Sequence, residues 1–459
     1  MFRNLYRTIQ RARQDKQLHF SALLPAQTIT ECFDETSRNE RAGTVYRLPV
    51  VIWMFLSQVF SADHSCRETV ARLNAWRACR NKPRGSSGTG RYCTIRDRLS
   101  EAGCQRLVET TARQIDDAAP RDWRWQGHRV RLVDGTTLTM PDTPENQKAY
   151  PQPSEQKPGC GQPILRLVVL FSLTTGVVLR AAMSACQGKQ TGENTLFRQA
   201  VANELEAGDI LLGDCIFSGW FDVALLQQRG VNVVVHQHQR RRTDFRYGAR
   251  IGRGDHLVRW TKPSRPEWMS EEEYQALPEF LVVREIRVEV PHKGFRTEQM
   301  IVVTTLWHHE EYPASAIAEL YRRRWAAELN LRSLKTHLQM DHLRCKLPHR
   351  VRNEVRMHLL AYNLIRSVMA TSAIHSGRSP WTISFKGTTQ TLNQFLPTIL
   401  AATDIETWID NLIQAIASHV VGNRPNRVEP RVIKRRPKKY KLMNQPRNIL
   451  RNSLPAKGI

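Results

Sequence analysis

Apolar residues recur along this chain in two textures, and the change between them divides it. Residues 1–120 read as mostly helical, with segments 47–60, 65–79 and 94–116 of helical length. The last carries Ile95, Leu99, Leu107 and Val108 at its apolar positions. The Gly/Ser-rich run KPRGSSGTGR at 82–91 separates two of these segments as a loop. From residue 128 short β-type runs take over: HRVRLVD, then PILRLVVLFSL, then GVVLRAAM. A helical segment at 192–206, the strand DILLGD, a helix at 219–229 and the strand VNVVVH at 231–236 follow. Three strands in succession and then alternation predict an α/β fold, a mixed sheet flanked by helices. The stretch 237–299, rich in Arg, Gly and Pro before the runs FLVVREIRVEV and FRTEQ, reads as an inserted β subdomain. MIVVTTL at 300–306 then resumes the sheet, and helices are expected at 350–373 and near 404–419, separated by a Gly/Pro break. The expected divisions are a helical N-terminal DNA-binding domain at 1–125 and a core at 126–236 and 300–373. The insert spans 237–299, and a C-terminal helical region with a basic tail spans 374–459.

Between Ala314 and Cys345 no residue breaks a helix, and Pro313 stands where a first helical turn tolerates it. A continuous helix would bring Tyr321, Arg324, Glu328 and Lys335 within an arc of about 60°, along about 21 Å of its length. Leu320, Leu331, Leu334 and Leu338 would form the adjacent stripe that packs on a core. Spacing alone also fits a solvated face, since Glu328 has Arg324 and Arg332 four residues away.

Charge changes the picture. The net charge is +25 and the isoelectric point about 10.2, a field that attracts polyanions, nucleic acid first among them. Residues 421–459 alone hold twelve Lys or Arg against one acid, Glu429. The longest apolar run, VVIWMFLSQVF at 50–60, is too short to span a bilayer, and the N-terminus is polar and basic. The expected setting is therefore cytoplasmic and nucleoid-associated, without a membrane partner. Nine cysteines without a Cys-x-x-Cys pair suit a reducing compartment better than a disulfide framework or a zinc site. His236, His238, His308 and His309 read as strand and loop residues rather than metal ligands.

Two acids stand at strand ends. Asp134 follows RVRLV, and Asp214 follows ILLG. The carboxyl ends of strands in open α/β sheets gather catalytic groups, although a single Asp there is often a turn-former. With Glu328 they make three carboxylates that could converge. Such a group repels itself unless cations neutralise it, and divalent ions with hard oxygen ligands do so. Two ions about 4 Å apart activate a water or 3′-hydroxyl and stabilise a leaving oxygen of a phosphodiester. Tyr321, Arg324 and Lys335 would then hold DNA phosphates beside the acid. GKQTGE at 188–193 lacks the first glycine of a nucleotide-binding loop, so Lys189 and Glu193 are expected to start a helix beside the site. Asp142 and Glu145 read as turn and cap residues.

The spacing Tyr-x2-Arg-x3-Glu-x6-Lys, met by Tyr321, Arg324, Glu328 and Lys335, resembles the signature of the insertion-sequence-four family of transposases. The segments VDGTTLTMPDTPENQKAYPQPS, GDCIFSGWFDVALLQQRGV, RSLKTHLQMDHLRCK and RPNRVEPRVIKRRPK are similar to that family too, in the same order. The resemblance implies a ribonuclease-H-like core and a metal-dependent cut-and-paste transposase. Its ligands would be Asp134, Asp214 and Glu328, binding two Mg²⁺ ions or Mn²⁺ as a substitute. Its partners would be double-stranded DNA at insertion-sequence ends and target DNA, engaged by a dimer. In some relatives the cut ends pass through a hairpin with a base flipped onto an aromatic residue; Trp260 and Trp268 lie in the insert but also suit its core. One position departs from the pattern: the family has Arg directly after the second Asp, and this chain has Cys215. Two other readings share the basic charge or the metal site: a transposase-derived DNA-binding protein without cleavage, and a structure-specific nuclease on the same fold.

Overall fold

The computed structural model describes residues 23–33, 44–289, 299–399, 402–422 and 443–453. After a short helix at Ala26–Cys32, four longer N-terminal helices follow: α1 (Leu48–Phe60), α2 (Cys66–Ala78), α3 (Gly90–Asp97) and α4 (Glu101–Asp117). The Ser65 side chain accepts from Glu68 N at 3.0 Å and caps α2, and Ser100 accepts from Gly103 N at 3.1 Å and caps α4. That second cap explains why the single helix expected at 94–116 is two: the chain stops at Arg98 and restarts at Ser100.

Strands β1 (Val130–Thr139), β2 (Ile164–Ser172) and β3 (Val178–Ala185) form an antiparallel meander. Next come α5 (Glu193–Leu196), β4 (Ile210–Gly213), α6 (Trp220–Gln228) and β5 (Asn232–His236). α5 continues as a π turn over Phe197–Val201, so the helix expected at 192–206 is short and irregular. The stretch after β5 supplies β6 (Ala249–Gly252), β7 (Asp255–Thr261) and β8 (Phe280–Glu289), and β9 (Gln299–Thr304) returns to the core. Among the described residues all nine strands form one sheet, ordered β3-β2-β1-β4-β5-β9-β8-β7-β6. β1, β4 and β5 run parallel, and β9 joins β5 antiparallel. The strands of 237–289 therefore do not form a sheet of their own. β8 pairs with β9 and carries β7 and β6 outward, so the core sheet runs on into them.

Alternation along the strands sorts the side chains into two cores. Leu132, Leu167, Val169, Phe171, Ile210, Leu212 and Val234 face one side with the N-terminal helices. Val133, Val168, Leu170, Leu211, Val233 and Val235 face the other, with Phe197, Trp220 and Val223. The helices that follow the sheet are α7 (Ala314–Arg322), α8 (Trp325–Arg332), α9 (Pro348–His375), α10 (Phe385–Thr398) and α11 (Ile405–Ser418). α9 lies along α4, and Glu101 binds Arg352 at 2.6 Å and Arg356 at 2.9 Å, joining the N-terminal helices to the core.

The uninterrupted helix expected from 314 to 345 is not what forms. The chain tightens at Arg323–Arg324, where Arg324 N bonds Tyr321 O at 3.0 Å and Ala327 N bonds Arg324 O at 2.9 Å, both three-residue steps. It then widens into a π turn over Ser333–His337 and leaves helical structure at Leu338. No residue there is a breaker; the cause is packing. α7 lies over β5 and α8 over β1, two strands separated by β4, so the two halves cannot share one axis.

Candidate active site

The sheet contains a notch where the acids stand. β1 pairs with β4 only from Val130 to Leu132, and β4 ends at Gly213, so the edge of β1 beyond Leu132 is open on that side. Asp134 lies on this open stretch, held on its other side opposite Val169 of β2. Its Oδ1 accepts from Gly135 N at 2.8 Å. Burial pushes the Asp134 carboxyl up to about 6; the Gly135 N–H and the Arg324 charge oppose this, while the charges of Asp214 and Glu328 add to it. Asp134 thus feels both other acids, although the three come from a strand, a strand-following turn and a helix.

Asp214 follows β4 directly, and its Oδ1 accepts from Ile216 N at 2.9 Å, capping the short 3-10 turn Cys215–Phe217. Burial and the Asp214 charge hold the Cys215 thiol above its usual range, so Cys215 stands beside Asp214 as a neutral thiol. Glu328 lies in the first turn of α8. Its Oε1 stands 3.0 Å from Arg324 Nη2, with the carboxylate side chain 40 % exposed. α8 is fixed from behind. Asn330 accepts from the buried Arg366 of α9, whose Nε also donates to Tyr362 Oη at 2.9 Å.

Among the described residues no three His, Cys, Asp or Glu side chains are gathered tightly enough to hold a metal ion. The acids share a field but not a cage. Glu328 is turned to Arg324, and Asp214 to its own turn.

Tyr321 is buried, 7 % exposed, and burial pushes its phenol up to about 12. Its ring centre lies 6.4 Å from that of His236, the last residue of β5. His236 is held below its usual value by burial and by Arg324, and it feels the opposite pull of Asp214. The sequence places this histidine in a strand with no part in the site; its position as the last residue of an apolar strand parallel to β4 is the available signal. Lys335 lies in the π turn and donates to Thr136 Oγ1 at 2.9 Å and to Thr137 O at 3.0 Å, so it clamps the end of β1 just past Asp134.

Glu193 is the first residue of α5, whereas Lys189, expected to start the same helix, lies in the turn before it. Its carboxylate is raised by burial, pairs with Arg166 of β2 at 3.4 Å and feels Asp214. Asp142 takes no part: it accepts from Gln147 Nε2 at 2.8 Å and pairs with Arg447, and Glu145 lies in the first turn of the helix Pro144–Ala149.

A hollow of about 750 Å³ lies among β6, β7 and β8, lined by Arg241, Arg242, Tyr247, Arg259 and Trp260 among others. Trp260 itself is buried, donates to Glu285 Oε1 at 2.9 Å and carries the Arg241 guanidinium 3.7 Å over its ring. Trp268 is 41 % exposed, with Arg198 4.1 Å above its ring centre.

Asp134, expected at the end of a strand, stands instead midway along β1, with Asp214 just after β4 and Glu328 on a helix laid over β1. The Transposase DDE domain family matches residues 125–364, more than half of the chain and the whole span from β1 to α8. The chain belongs to this family, within its insertion-sequence-four branch. It is 26 % identical over 432 residues to "Transposase InsG for insertion sequence element IS4" of Escherichia coli (strain K12), covering 91 % of this chain and 92 % of the relative. Among solved structures, the piggyBac transposase synaptic complex with hairpin DNA aligns with a TM-score of 0.41 at 11 % identity, over 90 % of this chain and 87 % of that one. The resemblance and the function drawn from the ordered motifs are correct: this is a DNA transposase, a DNA-cleaving and strand-transferring enzyme on a ribonuclease-H-like fold.

Proposed function

We propose that this transposase binds the ends of its insertion sequence and moves it by a cut-and-paste route, with Asp134, Asp214 and Glu328 as the acids of the reaction. The observation that carries this reading is the place of Asp134 on the unpaired edge of β1, where burial first, and the charges of Asp214 and Glu328 after it, push its carboxyl up to about 6. Hard carboxylate oxygens in mutual repulsion are the donor set a divalent cation satisfies, and the family uses divalent metal ions. Asp134, Asp214 and Glu328 would hold the metal, as two Mg²⁺ ions or Mn²⁺ in their place. Bound there, the metal supplies an activated water or 3′-hydroxyl and stabilises the leaving oxygen of the phosphodiester.

The chain's own groups do the rest. Arg324 balances the acids in the metal-free state and, once Glu328 is released to the metal, offers its guanidinium to a DNA phosphate. Tyr321, too buried to meet the duplex broadly, shapes the wall against which Arg324 rests. Lys335 holds Thr136 and Thr137, so that the strand carrying Asp134 keeps its position, and it stands close enough to the notch to meet a phosphate as well. The arginine-lined hollow among β6, β7 and β8 and the basic C-terminal segment extend the positive surface along the DNA. A dimer, one chain at each end, would bring both ends to the target DNA, in the cytoplasm at the nucleoid.

The test is strand cleavage of a duplex carrying the element's own terminus, with and without Mg²⁺. Asp134→Ala, Asp214→Ala and Glu328→Ala should each remove nearly all cleavage. A variant that cuts near the parent rate would strike its acid from the site.

A further inference from the structure

We propose that Arg366 of α9 is a positioning residue for strand cleavage: through Asn330 it fixes the seat of α8, and with it the place of Glu328 over β1. This inference rests on the reading of Glu328 as an acid of the reaction.

α8 needs a fixed point. It is eight residues long, follows the tightened turn at Arg323–Arg324 and runs into the π turn over Ser333–His337, so neither flank continues its axis. Its buried residues are Ala327, Asn330 and Leu331. Apolar contacts through Ala327 and Leu331 hold the helix down but have no direction, and they leave it free to rotate or slide. A hydrogen bond has direction, and Asn330 makes one: its Oδ1 accepts from Arg366 Nη2. Asn330 is fully buried, and Glu328, two residues earlier, lies about 200° away round the helix. The bond on one face therefore sets the angle at which the acid leaves the other.

Arg366 is itself tied to the sheet that carries Asp134. Its Nε donates to Tyr362 Oη at 2.9 Å, and Tyr362 Oη donates at 2.8 Å to Gly176 O, in the turn between β2 and β3. A Cβ built on Gly176, whose φ is +79°, would lie 2.8 Å from both Cζ and Nε of Arg366, so the guanidinium rests directly against that turn. Trp381, whose ring centre lies 4.9 Å from Arg366 Cζ, donates through Nε1 to Leu173 O at 2.8 Å in the same connection. β2 in turn pairs with β1, with Val169 opposite Asp134. An unbroken run of contacts thus joins Asn330 to the strand of Asp134, and the two acids are held in one frame.

Two features mark the pair as directional rather than stabilising. Arg366 is 4 % exposed, and among the described residues its guanidinium meets an amide, a phenol and the rings of Tyr362, Trp381 and Phe385 rather than a carboxylate. Asn330 Nδ2 is buried without a hydrogen-bond partner among them. A buried charge without an acid and an orphaned amide both cost stability, and two apolar side chains would fill the space without that cost.

The experiment is single-turnover cleavage of a duplex carrying the element's terminus, with Mg²⁺ and the full-length protein in saturating excess. Gel-shift titration gives duplex affinity, and thermal unfolding gives the melting temperature. Asn330→Leu and Arg366→Met should each lower the cleavage rate about ten- to a hundredfold, as displacement of a reacting group does. Duplex affinity should stay at the parent level, and the melting temperature should hold or rise. The double variant should lose no more than the worse single, because both act through one bond. Asn330→Asp, which keeps an acceptor for Arg366, should recover most of the cleavage. Parent-rate cleavage by Asn330→Leu and Arg366→Met, with Glu328→Gln inactive, would overturn the positioning role and leave Glu328 in the reaction. Parent-rate cleavage by Glu328→Gln would overturn the reading of Glu328, and this inference with it. Slower cleavage with a matching fall in duplex affinity or melting temperature would make the pair purely structural and refute the proposal. If Arg366→Met fails to fold, Asn330→Leu and Asn330→Asp decide by the same criteria.

Discussion

Arg324 Nη2 lies 3.0 Å from Glu328 Oε1, one helical turn away, and the same guanidinium lowers the pKa of Asp134. One cation therefore does two things in the metal-free protein. It occupies the acid presented by α8, and it stabilises the charged form of the acid presented by β1. Spacing alone made this pair look like an ordinary surface contact; its setting over β1 gives it a part in the chemistry.

Separating the two roles needs two substitutions. Glu328→Gln keeps the shape and removes a negative charge, so metal-free binding to a terminal duplex should hold or tighten while cleavage is lost. Arg324→Ala should weaken binding and cut more slowly, at least tenfold, and the acid limb of its pH–rate profile should move upward because Asp134 then ionises at higher pH. Gel-shift titration and a pH series of cleavage rates on one duplex measure both. An acid limb that stays in place would show that Arg324 does not control Asp134.

Asp134 has a consequence for stability. Its folded pKa, about 6, lies above the ordinary 3.8, so the folded state holds the proton more tightly than the unfolded chain. The stabilisation from that proton is complete below the unfolded value and is lost as pH rises from about 4 through about 6. At neutral pH the metal-free protein carries the cost of a buried charge, on the order of 2–3 kcal/mol. Asp134→Asn should therefore raise the melting temperature of the metal-free protein at pH 8 and leave it nearly unchanged at pH 4. Thermal unfolding in a chelating buffer at both pH values reads this. An equal change at the two pH values would exclude the burial effect.

Lys335 offers a different kind of test, because its ammonium is bonded to Thr136 and Thr137 as well as placed near the notch. Lys335→Met should cost about 1–2 kcal/mol of stability through the lost bonds. It should also lower cleavage, with the salt slope of DNA binding changing by less than one unit. A slope reduced by a full unit with stability intact would make Lys335 a direct phosphate contact instead.

The basic segment between Arg424 and Lys441 lies outside the described residues, and its charge makes the prediction. Replacing its nine Lys and Arg residues by Gln should flatten the dependence of DNA binding on salt, because fewer counterions are released per complex. Binding measured from 50 to 200 mM salt tests this, and an unaltered slope would assign the segment to some other partner.

Much of this protein is legible in its sequence, for local reasons. Strands β1 to β5 announce themselves because each is an apolar run bounded by turn residues, and a strand needs little more. The order of Asp134, Asp214 and Glu328 is a property of the chain itself, and with the Tyr-Arg-Glu-Lys spacing it sufficed to recognise the family. Helix α10 is hard to read in FKGTTQTLNQFLPT because Gly387, four threonines and Pro397 resemble a loop; its Phe385, Leu392 and Leu396 nevertheless share a buried face. Tertiary contact decided the rest. The stretch 314–345 contains no breaker, and only its seating over two separate strands bends it at Arg323 and Arg324. The insert looked separate by composition, yet backbone hydrogen bonds from β9 to β8 make it part of the core sheet. Asp134 feels Asp214 and Glu328 from a stretch of β1 left open because strand pairing with β4 stops at Leu132. Where a chain stops pairing is set by the geometry of its neighbours in space, and no local pattern of residues records it.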